Sequence, residues 1–204
     1  ARAVVALPER LMHILFLVNH FPPGPPIGGI VTYTHLMARA WKDAGHEVSV
    51  VCQSQDGRRH EMQAEGVRVV RVRTQPYPGA LWDKIKFRLI SDNSQRLLFH
   101  REFSYAALRE VESWLRKPDL VESPEAFAWG WHLQRAGFPV VARVHGPNRL
   151  AREADPSELL LRARILEEAE WEFMRDAKGV FPVTEYMKGV LEGWGVRVEG
   201  VIPL

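Results

Sequence analysis

The chain has 204 residues, of which 46% are hydrophobic and 25% are charged, so it can build a full globular core. Its 27 basic and 25 acidic side chains leave a net charge of +2. That balance gives no support for a nucleic-acid binder, which usually carries a concentrated basic surface. Cys52 is the only cysteine, which excludes an intrachain disulfide and favours a reducing compartment.

The sequence contains no signal peptide, no run of 18 apolar residues and no Cys or His spacing typical of a metal site. We therefore expect a cytoplasmic protein without a metal ion or a cofactor. Residues 1–10 lack an initiator methionine, and we expect them to be a disordered leader or a cloning remnant. The folded domain is then expected to span residues 11–204.

A strand, a glycine loop, a helix and a second strand open the folded part. The apolar runs at residues 13–18 and 47–52 have the length of strands, and Gly45 marks the predicted end of the helix between them. This is a βαβ unit with its loop at the carboxyl end of the first strand. Six residues at helical spacing predict the apolar face of the helix: Tyr33, Leu36, Met37, Ala40, Trp41 and Ala44.

Gly28 and Gly29 stand directly before the first turn of this helix. Without Cβ atoms they let a ligand approach the backbone, and the free N–H groups of a helix start favour an anion. Glycine pairs also occur in turns for conformational reasons alone. The position after a buried strand favours the ligand interpretation, so we predict a helix start that faces a phosphate.

Strands and helices alternate through the rest of the chain. A polar loop is predicted at 53–65. The segment 82–103 is either a set of helices with a solvated basic face or a basic–aromatic surface that touches an acidic acceptor or a membrane. Further strands are predicted at 67–73, 119–122, 139–144, 179–183 and 198–202, and further helices at 105–116, 126–136, 156–177 and 186–192.

This alternation predicts an α/β fold with a mainly parallel sheet of about seven strands and helices on both faces. Ligands of such sheets bind beyond the carboxyl ends of the strands. The glycine pair, residues 122–125, residues 145–146 and residues 184–185 all follow predicted strands. We therefore expect them to line one edge of the sheet.

Several polar residues at this edge are candidates for a site. A neutral imidazole at His145 can bond a sugar hydroxyl or hold the backbone. Glu125, and less so Glu122, can accept hydrogen bonds from hydroxyl groups, with helix capping as the alternative for Glu125. His20 is expected to be exposed beside the glycine loop. Thr184 and Glu185 fit a helix cap better than a ligand contact.

The sequence lacks the signature motifs of several other enzyme classes. There is no Gly-x-Ser-x-Gly elbow, no P-loop and no zinc-protease helix. The glycine loop also lacks the Gly-x-Gly-x-x-Gly order, and the second strand ends on Cys52 and Gln53 where an acid should hold a ribose. An NAD-dependent dehydrogenase is therefore only a minor alternative.

The stretch at residues 26–48 resembles the opening of the group 1 (family four) retaining glycosyltransferases, and residues 119–125, 144–146, 183–188 and 200–203 add supporting matches. The resemblance covers residues 12–204. It implies the GT-B fold, in which two Rossmann-like domains face one another across a cleft. This chain would be the N-terminal half of that fold.

The resemblance also implies roles for individual residues. Gly28 and Gly29 would pack against the diphosphate or the sugar of a nucleotide-sugar donor, which is a substrate and not a cofactor. His145 would bond a hydroxyl of the donor sugar as the catalytic residue. The acceptor would meet His20 and Glu125. Three residues would support the site: Glu122, Thr184 and Glu185.

In the family, a second domain holds the nucleotide, and this sequence stops where the linker to that domain begins. We therefore expect an N-terminal domain that folds alone but transfers no sugar alone. Its partners would be the donor, a sugar, lipid or small-molecule acceptor, and the C-terminal domain of the same parent chain. Contact with the inner face of a membrane is open. Two alternatives remain: a non-catalytic sugar- or nucleotide-binding module, and a GT-B-type epimerase or phosphorylase.

Overall fold

A computed structural model describes residues 10–23, 28–83, 92–154 and 160–203, so residues 1–9 of the predicted leader lie outside the described residues. Seven strands form the sheet: β1 (His13–Leu17), β2 (Glu47–Gln53), β3 (His60–Ala64), β4 (Val67–Val72), β5 (Leu120–Pro124), β6 (Val140–Val144) and β7 (Gly179–Pro182). Their order is β3-β4-β2-β1-β5-β6-β7, and only β3 and β4 are antiparallel. This confirms the predicted α/β fold.

The centre of the sheet is β1, which pairs with β2 on one side and with β5 on the other. All five residues of β1 are buried, as are five consecutive residues of β2. A parallel strand covered on both faces needs such a continuous apolar run. The composition of these strands therefore places them in the interior, with helices on either side.

The number of strands agrees with the prediction, but two of the assignments were wrong. The polar loop predicted at 53–65 contains β3, which pairs with β4 through a tight turn at Glu65 and Gly66, both with positive φ. The terminal strand predicted at 198–202 does not form. That stretch donates two backbone hydrogen bonds to β7, from Glu199 and Ile202, too few for a strand.

The α-helices that lie within the described ranges are α1 (Gly29–Asp43), α2 (Asp92–Glu112), α3 (Trp131–Arg135), α4 (Asn148–Ala154), α5 (Leu160–Asp176) and α6 (Glu185–Gly193). None of the helices in the described ranges is long and apolar enough to cross a membrane. The buried face of α1 differs from the prediction, because Leu36 is 62% exposed. The side chains that α1 buries are Val31, Tyr33, Thr34 and Ala38.

Two helix predictions were corrected. The helix expected at 105–116 begins earlier, because α2 runs from Asp92 to Glu112, while residues 84–91 lie outside the described residues. The helix expected at 126–136 is split into a 3-10 turn, Ala126–Ala128, and α3. Phe127 and Ala128 have positive φ, which no continuous α-helix allows. The helix expected at 156–177 agrees with α5 from Leu160 to Asp176, and residues 156–159 lie outside the described residues. α4, which precedes it, was not predicted.

Gly130, between the 3-10 turn and α3, is packed so tightly that a Cβ atom there would lie 2.9 Å from the Phe173 ring and 3.0 Å from Ser123. We expect Gly130→Ala to lower the free energy of unfolding by about 1–3 kcal/mol, because the core must shift. Gly189, inside α6, has open space around its Cβ position. Gly189→Ala is the control and should raise stability by about 0.5–1 kcal/mol. Urea unfolding measures both, and equal effects would contradict the packing argument.

Candidate active site

The carboxyl ends of β1, β5, β6 and β7 meet at one edge, because these strands are parallel neighbours. Two contacts join the segments that follow them. The ring centroids of Tyr33 on α1 and His145 after β6 lie 5.1 Å apart. The carboxylate of Glu125, which follows β5, accepts a hydrogen bond from the backbone N–H of His145. The start of α1, Glu125 and His145 therefore share the predicted edge.

The start of α1 is open. Gly28 is its N-cap with φ 88° and ψ 163°, and no side chain of the described residues caps this helix start. The first N–H groups of an α-helix have no acceptor within the helix. The first turn carries no acid, and no atom of the described residues lies within 4 Å of a Cβ atom placed on Gly28 or Gly29. The geometry suits an anion, which would meet several N–H donors and the positive end of the helix dipole.

His145 is half-buried immediately after β6. Burial lowers its pKa to about 4, and the nearby guanidinium of Arg143 adds to the effect. The ring is therefore neutral at pH 7, with one nitrogen able to donate and the other able to accept a hydrogen bond. Among the described residues Nε2 has no hydrogen-bond partner.

Glu125 is 1% exposed. Its Oε1 and Oε2 accept from the backbone N–H of His145 at 3.0 and 3.1 Å, and Oε1 also accepts from that of Gly146 at 2.6 Å. Burial raises the pKa of this carboxyl group, and the two N–H groups oppose the shift. Its observed partners are thus backbone groups of the next loop, and direct contact with an acceptor stays a prediction.

Glu122 belongs to a buried polar cluster beside His145. The guanidinium of Arg143 lies 4.5 Å from the centroid of the Tyr33 ring and donates to the carbonyl oxygen of Ile202. Burial raises the pKa of Glu122, and the neighbouring Tyr33 and Arg143 oppose that shift. Within the described residues, Nε and Nη1 of Arg143 have no hydrogen-bond partner. The cluster fixes α1 against β5 and β6 below the open edge.

The remaining predicted site residues lie on the segments after β1 and β7. Thr184 is the N-cap of α6, and its hydroxyl oxygen accepts from the backbone N–H of Met187 at 3.1 Å, which confirms the cap interpretation. Glu185 is exposed in the first turn of α6, where its negative charge interacts favourably with the helix dipole. His20 is half-buried after β1, and its backbone N–H donates to the side-chain oxygen Oδ1 of Asn19.

The sequence analysis missed three residues that build this edge: Tyr33, Arg143 and Glu170. Tyr33 was predicted only as part of an apolar helix face, and Arg143 only as part of a strand. Glu170, on α5, is 1% exposed and accepts hydrogen bonds from residues of two loops. Its sequence neighbours are glutamates at 167, 168 and 172, so nothing in the local pattern separated it from a solvated helix face.

A sequence model of the family described as "Glycosyl transferase 4-like domain" matches residues 28–204. The chain belongs to this family. No curated protein matched this glycosyl transferase 4-like domain in sequence.

Solved structures of GT-B glycosyltransferases are similar to the domain in fold. Sucrose-phosphate synthase from Thermosynechococcus elongatus superposes with a TM-score of 0.69 at 17% identity, covering 94% of this chain and 48% of that one. An α,α-trehalose-phosphate synthase (UDP-forming) from Burkholderia vietnamiensis superposes with a TM-score of 0.57 at 17% identity, covering 96% of this chain and 49% of that one. Os79 from O. sativa in complex with UDP superposes with a TM-score of 0.58 at 12% identity, covering 94% of this chain and 52% of that one. The domain spans about half the length of these proteins, and their likeness confirms the Rossmann-like fold.

The pKa of His145 can be measured directly by following its ring signals in an NMR titration. We expect a midpoint near pH 4. Because the unfolded ring titrates near pH 6.5, the folded state binds fewer protons between these values. The stabilisation from the neutral ring is therefore complete above pH 6.5 and is lost as the pH falls through 4. His145→Gln should flatten this part of the stability profile, and a midpoint near 6.5 would contradict the burial.

Proposed function

We propose that the chain is the acceptor-side domain of a retaining glycosyltransferase that uses a nucleotide-sugar donor and no metal ion. Membership of the glycosyl transferase 4-like family supports sugar transfer in general. The observation that carries the finer proposal is the open start of α1 at Gly28 and Gly29, held beside the neutral ring of His145.

The diphosphate of the donor would lie at the start of α1. Negative charge grows on this group as the bond to the sugar breaks, and N–H donors fixed in advance stabilise it without reorganising. Both glycines are exposed and leave space for the phosphate oxygens to approach the backbone. Among the described residues no side chain caps this helix start, so the ligand would complete the cap.

His145 would bond a hydroxyl of the donor sugar. Its ring is neutral at physiological pH, so it can orient a hydroxyl without adding a positive charge that competes with the helix start. Rate acceleration would come from holding the sugar between diphosphate and acceptor, rather than from a strong base. The acceptor would enter beside His20, with Glu125, Glu122, Thr184 and Glu185 supporting the loops around it.

The donor would be a UDP-sugar rather than a sugar of another nucleotide. The structural neighbour Os79 was solved with UDP, and the trehalose-phosphate synthase is described as UDP-forming. A second domain of the parent chain would hold this nucleotide. The coverage of about half of each neighbour supports this division. The 204-residue chain would then be inactive alone. A cytoplasmic location fits a nucleotide-sugar substrate and remains part of the proposal.

A donor screen tests the proposal. The chain alone, and the chain with any coding sequence that follows Leu204, are incubated with UDP-, GDP- and ADP-glucose and with sugar, sugar-phosphate and lipid acceptors. NMR of the anomeric proton identifies the product. We expect transfer with retained configuration only by the longer protein.

Each other outcome of the screen contradicts a defined part of the proposal. An inverted product would exclude retention, and turnover by the 204-residue chain would exclude its inactivity alone. Epimerised or phosphorolysed sugars would favour an epimerase or a phosphorylase. Donor binding without turnover by the longer protein would favour a binding module.

The two glycines provide a matched pair of variants, to be made in the longer protein that transfers sugar. Gly29 is the first residue of α1 and has open space among the described residues. We therefore expect Gly29→Ala to keep the fold but to lower kcat/KM on the order of tenfold, about 1.4 kcal/mol, because the added methyl group occupies the phosphate position. Gly28→Ala should instead lower the free energy of unfolding by about 1–2 kcal/mol, because φ 88° is strained for alanine. Unchanged kinetics in a folded Gly29→Ala variant would exclude the phosphate at this helix start.

A further inference from the structure

The loop at residues 145–148 follows β6 and ends on Asn148, the first residue of α4. Its N–H groups bind carboxylates rather than other backbone groups. Glu125 binds the N–H groups of its first two residues. At its other end, Oε2 of Glu170 accepts from the backbone N–H of Asn148 at 2.9 Å, and Oε1 accepts from the Asn148 side-chain amide at 2.5 Å. Both carboxylates are 1% exposed. The backbone that carries His145 is therefore fixed from two sides.

Glu170 also reaches a second loop. Its Oε1 accepts from the backbone N–H of Phe127 at 3.1 Å, in the 3-10 turn that follows β5. Phe127 has φ 54°, a conformation that the chain does not adopt without support. One side chain of α5 thus sets the positions of the loops after β5 and after β6, and these are adjacent at the candidate active site.

Holding a loop with two buried carboxylates costs free energy, because both groups lose their hydration. Burial raises the pKa of Glu170 to about 7, and the nearby charge of Glu125 adds to the rise while the N–H donors of Asn148 and Phe127 oppose it. Among the described residues neither carboxylate forms an ion pair with a lysine or an arginine. A loop needed only for packing could be held by backbone or amide groups without this desolvation penalty. The arrangement favours a requirement for accurate loop geometry.

We propose that Glu170 is a positioning residue of the transferase: together with Glu125 it fixes the loop at residues 145–148 and thereby aims the His145 ring at the donor sugar. This inference rests on the role of His145 in the proposed function. Glu170 itself touches no substrate in this scheme. It acts through backbone hydrogen bonds, and its effect should disappear when the His145 side chain is removed.

A double-mutant cycle tests this dependence in the longer protein that catalyses transfer. Glu170→Gln replaces one acceptor oxygen by an NH₂ group and should lower kcat about tenfold, with KM for the donor changing less than threefold. In a His145→Ala background the same replacement should change kcat less than twofold, because coupled residues are not additive. Equal effects in both backgrounds would overturn the proposal.

Glu168→Gln is the matched control, since Glu168 lies on the same helix, is exposed and, within the described ranges, has no hydrogen bond to either loop. It should leave kcat and KM unchanged. Rates are normalised to the folded fraction from urea unfolding, so a loss of stability alone does not count. If Glu170→Gln does not fold, Asn148→Ala removes one of the donors to Glu170 and should lower kcat in the same His145-dependent way.

NMR of the 204-residue chain separates this proposal from the proposed function. Glu170→Gln should shift the amide signals of Phe127 and Asn148 and the ring signals of His145, whereas Glu168→Gln should shift none of them. Unmoved His145 ring signals would overturn the positioning role, whatever the enzyme does. If these signals move but His145→Ala transfers sugar at the normal rate, the loop is held as described and the proposed role of His145 is wrong.

Discussion

Every backbone N–H at the carboxyl edge of the sheet needs an acceptor, and the structure meets this demand in two opposite ways. The loop after β6 has its N–H groups filled by buried carboxylates of its own chain. The start of α1, a short distance away across the Tyr33–His145 contact, has no side-chain cap from the described residues. One set of donors is closed and makes the loop rigid, while the other stays open to an anion. The contrast between them defines the candidate site.

Below this edge, the buried cluster of Tyr33, Glu122 and Arg143 joins three elements. A buried guanidinium is stable only when aromatic faces, carbonyl oxygens or carboxylates surround it, and Arg143 contacts the Tyr33 ring and the Ile202 carbonyl and lies near Glu122. This links the helix with the glycine start to the strand that carries His145. The relative position of the two halves of the site therefore depends on the core, and surface loops do not have to set it.

Sequence patterns predicted the central strands and the edge at which they end, because buried parallel strands are continuous apolar runs and the first βαβ unit carries a clear glycine signal. They failed where tertiary contacts decide. β3 is polar and short, so it resembled a loop until β4 paired with it. The turn at Phe127 depends on Glu170, which is 43 residues away in the chain. Gly28, Gly29, His145 and Glu125 became candidates because they follow strands, whereas Glu170 lies inside a helix of similar acidic residues and Arg143 inside a strand.

The sheet has two unlike borders, and each is protected from pairing with another chain. β3, at one border, carries Glu61, which forms ion pairs with Arg59 and Arg68 and places charge along the exposed strand. β7, at the other, is only four residues long, ends in Pro182 and is flanked by the segment that holds Glu199 and Ile202. Short, charged or proline-ended border strands resist strand addition and aggregation. The exposed glycines and open N–H groups of the candidate site thus lie on a molecule whose two sheet borders resist pairing with another copy.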